Sequence, residues 1–300
     1  MAGASRMDRA AAMTRIVIAY AVALVVAVVA GWATAAAGYD SALVQLAVAD
    51  VAATLAVFGF SLRYDNSSFY DAYWSVIPIW LVGYLAWLGW DQSQAPVRVV
   101  LVTVLVVAWG VRLTHNWARG WTGLDHEDWR YVDMRGTTGK GYWLTSLFGL
   151  HLFPTVLVFL GCLPIFAVTL EPGRPLGWLD AVATVVTGGA VAIELFADNQ
   201  LRDYTLHRKR PGETMTEGLW GWSRHPNYFG EAGFWWGLWL FGVAAVGLTP
   251  WANIAGAVAI TVLFNFISIP MIEKRMLARR PGYAEIQARI SRLVPWFPSR

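Results

Sequence analysis

Long apolar runs, separated by short polar stretches, give the first reading of this chain. Eight of them, roughly residues 15–37, 41–62, 73–90, 96–113, 143–170, 178–197, 229–248 and 251–272, carry few charges. A helix needs about 20 mostly apolar residues to cross a bilayer core. Helices and closed barrels alone satisfy their own backbone there. The pattern predicts an all-α, polytopic membrane bundle of seven or eight transmembrane helices, with the short runs 73–90 and 96–113 able to merge or re-enter. The polar stretches 113–142, 198–228 and 273–300 are each too short to fold alone. They are expected to pack together as a cap of loops and short helices over one end of the bundle.

Composition agrees with this reading. The chain is 57% hydrophobic and 14% charged, with a mean hydropathy of +0.46, whereas soluble domains carry about 25% charged residues. Charge adds an orientation. With the N-terminus inside and eight crossings, Arg6, Arg9 and Arg15 share a side with nearly every other cation, and of the 23 Lys and Arg only Arg98 and Arg174 fall outside. Cytoplasmic loops are enriched in both residues, so both termini are expected in the cytoplasm of a protein integral to the inner (plasma) membrane. The net charge of +3 follows from that topology and calls for no nucleic-acid partner. The first run is too long for a signal-peptide core and is expected to stay as a membrane helix. Trp74, Trp87, Trp90, Trp143, Trp178, Trp222 and Trp251 fall near predicted helix ends, as an interfacial belt requires. Cys162 is the one cysteine, which excludes an internal disulfide and a cysteine-based metal cluster. With no H-E-x-x-H pattern either, no metal is expected. Asn66-Ser67-Ser68 has the form of a glycosylation acceptor, but this topology makes it a cytosolic loop.

The chemistry-bearing residues concentrate in Ser223-Arg224-His225-Pro226-Asn227-Tyr228-Phe229-Gly230-Glu231. Pro226 suits the first turn of a helix, with Ser223 or His225 as its cap. The free N–H groups and positive dipole end of that helix would then face Arg224, a setting that favours anions. Asn227 and Glu231 are four apart and share a face, and Gly230 lets a chain or ligand approach closely. A carboxylate at Glu231 lies below headgroup depth, where an unpaired charge is costly. Arg202 and the Arg208-Lys209-Arg210 run are expected to converge on the same helix end, which suits a phosphate-rich ligand. Arg112, His115 and Arg119 form a stripe at a membrane exit. Among deeper groups, Asp50 lies in the second run, Asp71 and Tyr73 open the third, and Tyr84 lies within it.

The 223–231 string, preceded by Ala197-Asp198-Asn199-Gln200 and Arg202, resembles the C-terminal half of the steroid 5α-reductase and sterol reductase superfamily, in particular its bacterial branch. The resemblance runs from about Asp71 to Phe297 and includes Asp71-Ala-Tyr73-Trp74, the Arg112 to Arg119 stripe and Arg280-Pro-Gly-Tyr283. Isoprenylcysteine carboxyl methyltransferases are similar in their R-H-P-x-Y-x-G core. The reductase resemblance implies residues 1–70 as N-terminal transmembrane helices and 71–300 as a membrane catalytic domain, in one structural unit. It implies NADPH bound on the cytoplasmic side and hydride transfer to a C=C bond conjugated to a carbonyl, in a lipophilic steroid- or isoprenoid-like substrate drawn from the bilayer lipids. Asn227 and Glu231 would contact the nicotinamide half, and Asp198, Arg202, Arg119, Arg224 and Tyr283 the ribose and phosphates. Arg112, His225 and Tyr228 belong to the same cofactor set. Asp71 matches the acid that polarises the carbonyl. Where the family places a second catalytic tyrosine Trp109 stands instead, so Tyr73 or Tyr84 would take that role. The chemistry is consistent from below: hydride addition builds negative charge on the carbonyl oxygen, and a protonated carboxyl or phenol beside it stabilises that charge. The rival readings are an S-adenosylmethionine-dependent methyltransferase of a lipid or prenyl substrate, and a membrane scaffold without catalysis.

Overall fold

The computed structural model describes residues 8–210 and 212–298, and Arg6 and Arg300 of the topology count lie outside them. The described chain is all-helical and contains eight helical stretches long and apolar enough to cross a membrane. Twelve α-helices make up the fold: α1 (Arg9–Ala36), α2 (Ala42–Tyr64), α3 (Tyr73–Gly89), α4 (Pro96–Gly120), α5 (Trp129–Thr138), α6 (Tyr142–Thr145), α7 (Phe153–Leu170), α8 (Trp178–Asp203), α9 (Pro226–Val246), α10 (Ala255–Leu263), α11 (Ile269–Arg279) and α12 (Tyr283–Arg289). Wider π turns at Ser146–Leu152 and Phe264–Ser268 join α6 to α7 and α10 to α11, so each pair forms one long stretch, and a third at Tyr204–Arg208 extends α8. The two short runs are separate helices, and neither merges with its neighbour. Trp87, Trp178 and Trp251 stand exposed at helix ends, as a belt requires, while Trp109 and Trp235 are core residues.

The chain divides into two compact units. The first holds the described residues up to Tyr84 together with Trp109–Phe159; the second holds Leu85–Ala108 and the chain from Leu160 on. In the first unit α1 buries Ala12, Ile16, Ala19 and Ala23, spaced three and four apart, in one cluster with Ala53 and Val57 of α2. Small residues let membrane helices approach closely where lipid offers no hydrophobic drive for association. The opposite face of α1 presents Val17, Val25, Val28 and Trp32 outward, as contact with lipid requires. Asn66 is buried rather than displayed: its side chain accepts from Ser68 N at 2.8 Å and donates to Leu124 O at 2.7 Å, capping the turn Ser67–Tyr70.

The second unit is built on glycine seams. A Cβ on Gly230 would meet the Glu194 side chain and the Ala190 carbonyl, and one on Gly237 would meet Thr187, so α9 lies directly against α8. The close approach anticipated at Gly230 is therefore made by α8. Gly161 of α7 receives the Trp235 ring, and Gly256 of α10 faces the backbone of Leu160 and Gly161. Near the other end of these helices Arg98 is fully buried against Asp180. Its Nε and Nη2 donate to the two carboxylate oxygens at 2.5 and 2.9 Å, and its remaining donors reach Arg174 O and Pro175 O.

Candidate functional site

The start of α9 organises the second unit. Pro226 occupies the first turn as expected, and Ser223 Oγ takes the His225 N–H at 3.1 Å. His225 holds the N-cap position, with its carbonyl accepting from Phe229 N, but its side chain makes no capping hydrogen bond. Its imidazole turns instead to Glu273 of α11, with Nε2 at 3.0 Å from Oε1. Arg224 Nε donates to the same oxygen at 2.7 Å, and its Nη1 reaches Gln287 O and Ile290 O at 2.9 and 2.5 Å. Gln287 Nε2 donates to Glu273 Oε2 at 2.8 Å. Glu273 is thus a buried hub tying α9, α11 and α12 together. The stretch from Ser291 to Phe297 is fastened across the same place: Arg224 N donates to Ser291 O, Ser223 Oγ to Leu293 O and Trp296 N to Trp222 O.

Beside the hub lies a cavity of about 320 Å³. Five residues of the expected cofactor set line it, namely Arg224, His225, Asn227, Tyr228 and Tyr283, with Thr205, Thr214 and Arg280 adding polar groups and Leu201, Ile272 and Met276 apolar wall. Tyr228 stacks on Phe264 at 4.6 Å between ring centroids, which fixes its face. Burial, and then the charge of Glu273, push the Tyr283 phenol up to about 12, so it stays protonated and remains a donor at neutral pH.

The other expected residues fall elsewhere. Asp198 accepts from Asn227 Nδ2 at 3.4 Å, just behind the lining. Glu231 is buried and accepts from Trp235 Nε1 at 2.8 Å, one turn along its own helix. Arg202 is half-buried on α8 and is not part of the wall. The expected convergence of cations is largely absorbed by carboxylates: Arg208 pairs with Glu217 and Asp203, and Arg224 with Glu273. Arg112 and Arg119 belong to the first unit, where Arg112 is buried and Arg119 is anchored to Asn116 Oδ1 at 2.8 Å.

The first unit has its own polar core. Asp71 is half-buried and accepts from Tyr131 Oη at 2.5 Å. Tyr84 lies 43% exposed on α3. Tyr73 is 2% exposed and sits by Asp50, itself 7% exposed on α2, within electrostatic reach. Neither Asp50 Oδ1 nor Tyr73 Oη completes a hydrogen bond with a described residue. Around them Thr54 Oγ1 meets Thr155 Oγ1 at 2.8 Å, and Tyr70 Oη meets the same Thr155 oxygen at 2.6 Å. Buried polar atoms left unpaired are uncommon and call for an explanation.

A family model described as "Protein of unknown function (DUF1295)" matches residues 57–290. The chain belongs to this family. DUF1295 proteins are steroid 5α-reductase-like, and this chain is a membrane protein of that kind. It is also similar to an uncharacterized protein of Schizosaccharomyces pombe, with 27% identity over 261 residues, or 80% of this chain and 75% of that protein. No solved structure matches. The DUF1295 match covers the hub, the cavity and the Asp50-facing Tyr73. Sequence reasoning passed over Glu273 and Arg280 as site residues. The trace they left is an acid within an otherwise basic stretch, Glu273 beside Lys274, Arg275, Arg279 and Arg280.

Proposed function

We propose that this DUF1295 protein is a membrane reductase that takes NADPH into the cavity at the start of α9 and reduces a C=C bond conjugated to a carbonyl in a lipophilic substrate. The observation that carries this reading is the lining itself: two guanidiniums, an imidazole, two threonine hydroxyls, the Asn227 carboxamide and two phenols face one cavity whose remaining wall is mostly apolar. That donor set fits one nucleotide half of the cofactor, with a guanidinium and the hydroxyls suited to phosphate and ribose oxygens and the Asn227 amide suited to a carboxamide. NADPH, when bound, supplies the hydride. Glu273 holds Arg224 and His225 in place, and Tyr228 and Phe264 keep water from one wall.

The proton donor is inferred from the buried polar groups around Tyr73 alone. Asp71 is engaged by Tyr131, whereas Asp50 and Tyr73 keep buried polar atoms available. Tyr73, backed by Asp50, donates to the carbonyl oxygen as negative charge develops there, and Asp71 orders the turn that presents Tyr73. Removing one such donor costs about 10²–10³-fold in turnover. Tyr73→Phe and Asp50→Asn are expected to lose that much in NADPH oxidation driven by a panel of lipophilic enones, including a 3-oxo-Δ4 steroid. Undiminished rates in both variants would return the role to Asp71.

Ligand binding tests the cofactor reading directly. In detergent, NADPH at about 100 times its dissociation constant should stabilise the fold by about 2.7 kcal/mol, and Asn227→Ala should abolish the shift. A shift with S-adenosylmethionine and none with NADPH would replace the reductase by a lipid methyltransferase.

A further inference from the structure

The charges around the cavity are not equivalent. Three groups able to carry positive charge line it: Arg224, His225 and Arg280. Arg224 and His225 both face the Glu273 carboxylate, and Arg224 spends a further donor on the Gln287 and Ile290 carbonyls. The Glu273 carboxylate balances the charge of Arg224, and both side chains are fixed by it before any ligand arrives. Arg280 differs. It donates Nη1 to Thr214 Oγ1 at 3.0 Å and enters no ion pair among the described residues. It follows α11 on extended backbone (φ −138°, ψ 101°), and Tyr283 N donates to its carbonyl at 3.0 Å, so the turn into α12 fixes its place on the wall.

A guanidinium has five N–H donors in a planar fork that matches phosphate oxygens. With one donor on a neutral hydroxyl, Arg280 keeps most of that fork and its full charge for a ligand. Thr214 holds it from behind, leaving Thr205, Asn227 and the Tyr283 phenol on the wall around the same space.

Resting on the cofactor reading above, we propose that Arg280 is the anion-reading residue of this cavity, taking a nucleotide phosphate, and that Arg224 is a strut for the Glu273 hub rather than a phosphate ligand. The proposal redistributes roles that the R-H-P string suggests: the arginine inside the motif builds the wall, and an arginine 56 positions later (224 to 280) reads the charge.

The test is titration of the purified full-length protein with NADPH and with NADH, following nucleotide fluorescence, in the wild type and in Arg280→Gln, Arg280→Lys, Thr214→Val and Arg279→Gln. Losing a hydrogen-bonded charge at a phosphate weakens binding by roughly 10- to 100-fold. Arg280→Gln is expected to show that loss, Arg280→Lys and Thr214→Val a smaller one, and Arg279→Gln, an exposed neighbour, none. A loss confined to NADPH assigns Arg280 to the 2′-phosphate; an equal loss for both nucleotides assigns it to the pyrophosphate, and either supports the proposal. Unchanged NADPH affinity in Arg280→Gln overturns it while leaving the cofactor reading intact. Failure of the wild type to bind either nucleotide removes both. Unliganded thermal midpoints, expected to match across the set, separate a binding effect from a folding one.

Discussion

Glu273→Ala is expected to lower stability by about 3–5 kcal/mol, the cost of stripping the partner from buried charge. The carboxylate is 11% exposed at its side chain, and Arg224 and His225 are 9% and 7% exposed. Without it, the Arg224 guanidinium faces only two backbone carbonyls and Gln287 loses its acceptor. The effect extends to the cavity, because Arg224, His225 and Tyr283 all line it and all contact Glu273. Nucleotide binding should therefore fall together with the unfolding midpoint. Glu273→Gln retains an acceptor oxygen and should lie between the two. Denaturant unfolding in detergent measures the first effect, and nucleotide titration the second. A Glu273→Ala variant of wild-type stability would mean that solvent or lipid headgroups reach Arg224, and the hub would lose its structural role.

The second large effect is expected at Arg98 and Asp180, at side-chain exposures of 2% and 7%. Asp180→Asn leaves a buried guanidinium with two backbone carbonyls, and Arg98→Met leaves a buried carboxylate with the Gly177 N–H. Each single variant should again cost about 3–5 kcal/mol, while the double variant Arg98→Met/Asp180→Leu should recover most of that loss, because desolvating the pair offsets much of its attraction. The coupling between the two sites in a double-mutant cycle is the quantity to measure. Near-additive losses would show that the pair is solvated and that its bidentate geometry contributes little.

Both pairs show where sequence reading stops. Arg98 reads as a cation left on the outer side by the topology count, and nothing around it marks Asp180, 82 positions on, as its partner. Glu273 reads as part of a basic tail. Gly230 reads as a place of close approach, and rightly, but the approaching surface is α8. Asp71 and Tyr73 sit two residues apart and look like one catalytic pair. At the end of the turn Ser67–Tyr70 they diverge, Asp71 to Tyr131 and Tyr73 to the neighbourhood of Asp50. Tyr84, eleven residues beyond Tyr73, emerges on an exposed face.

The sequence by itself determined the all-helical membrane class, the eight stretches and the helix start at Pro226. These follow from local physics: a bilayer admits only backbone that bonds to itself, so an apolar run of sufficient length is a helix whatever surrounds it. The tertiary structure alone decided which cationic side chains of the cavity pair with a carboxylate. Arg224, His225 and Arg280 look alike as a string of letters. Their difference lies in whether a carboxylate from another helix comes within hydrogen-bond reach, a contact made by folding over tens of residues and invisible to periodicity or spacing.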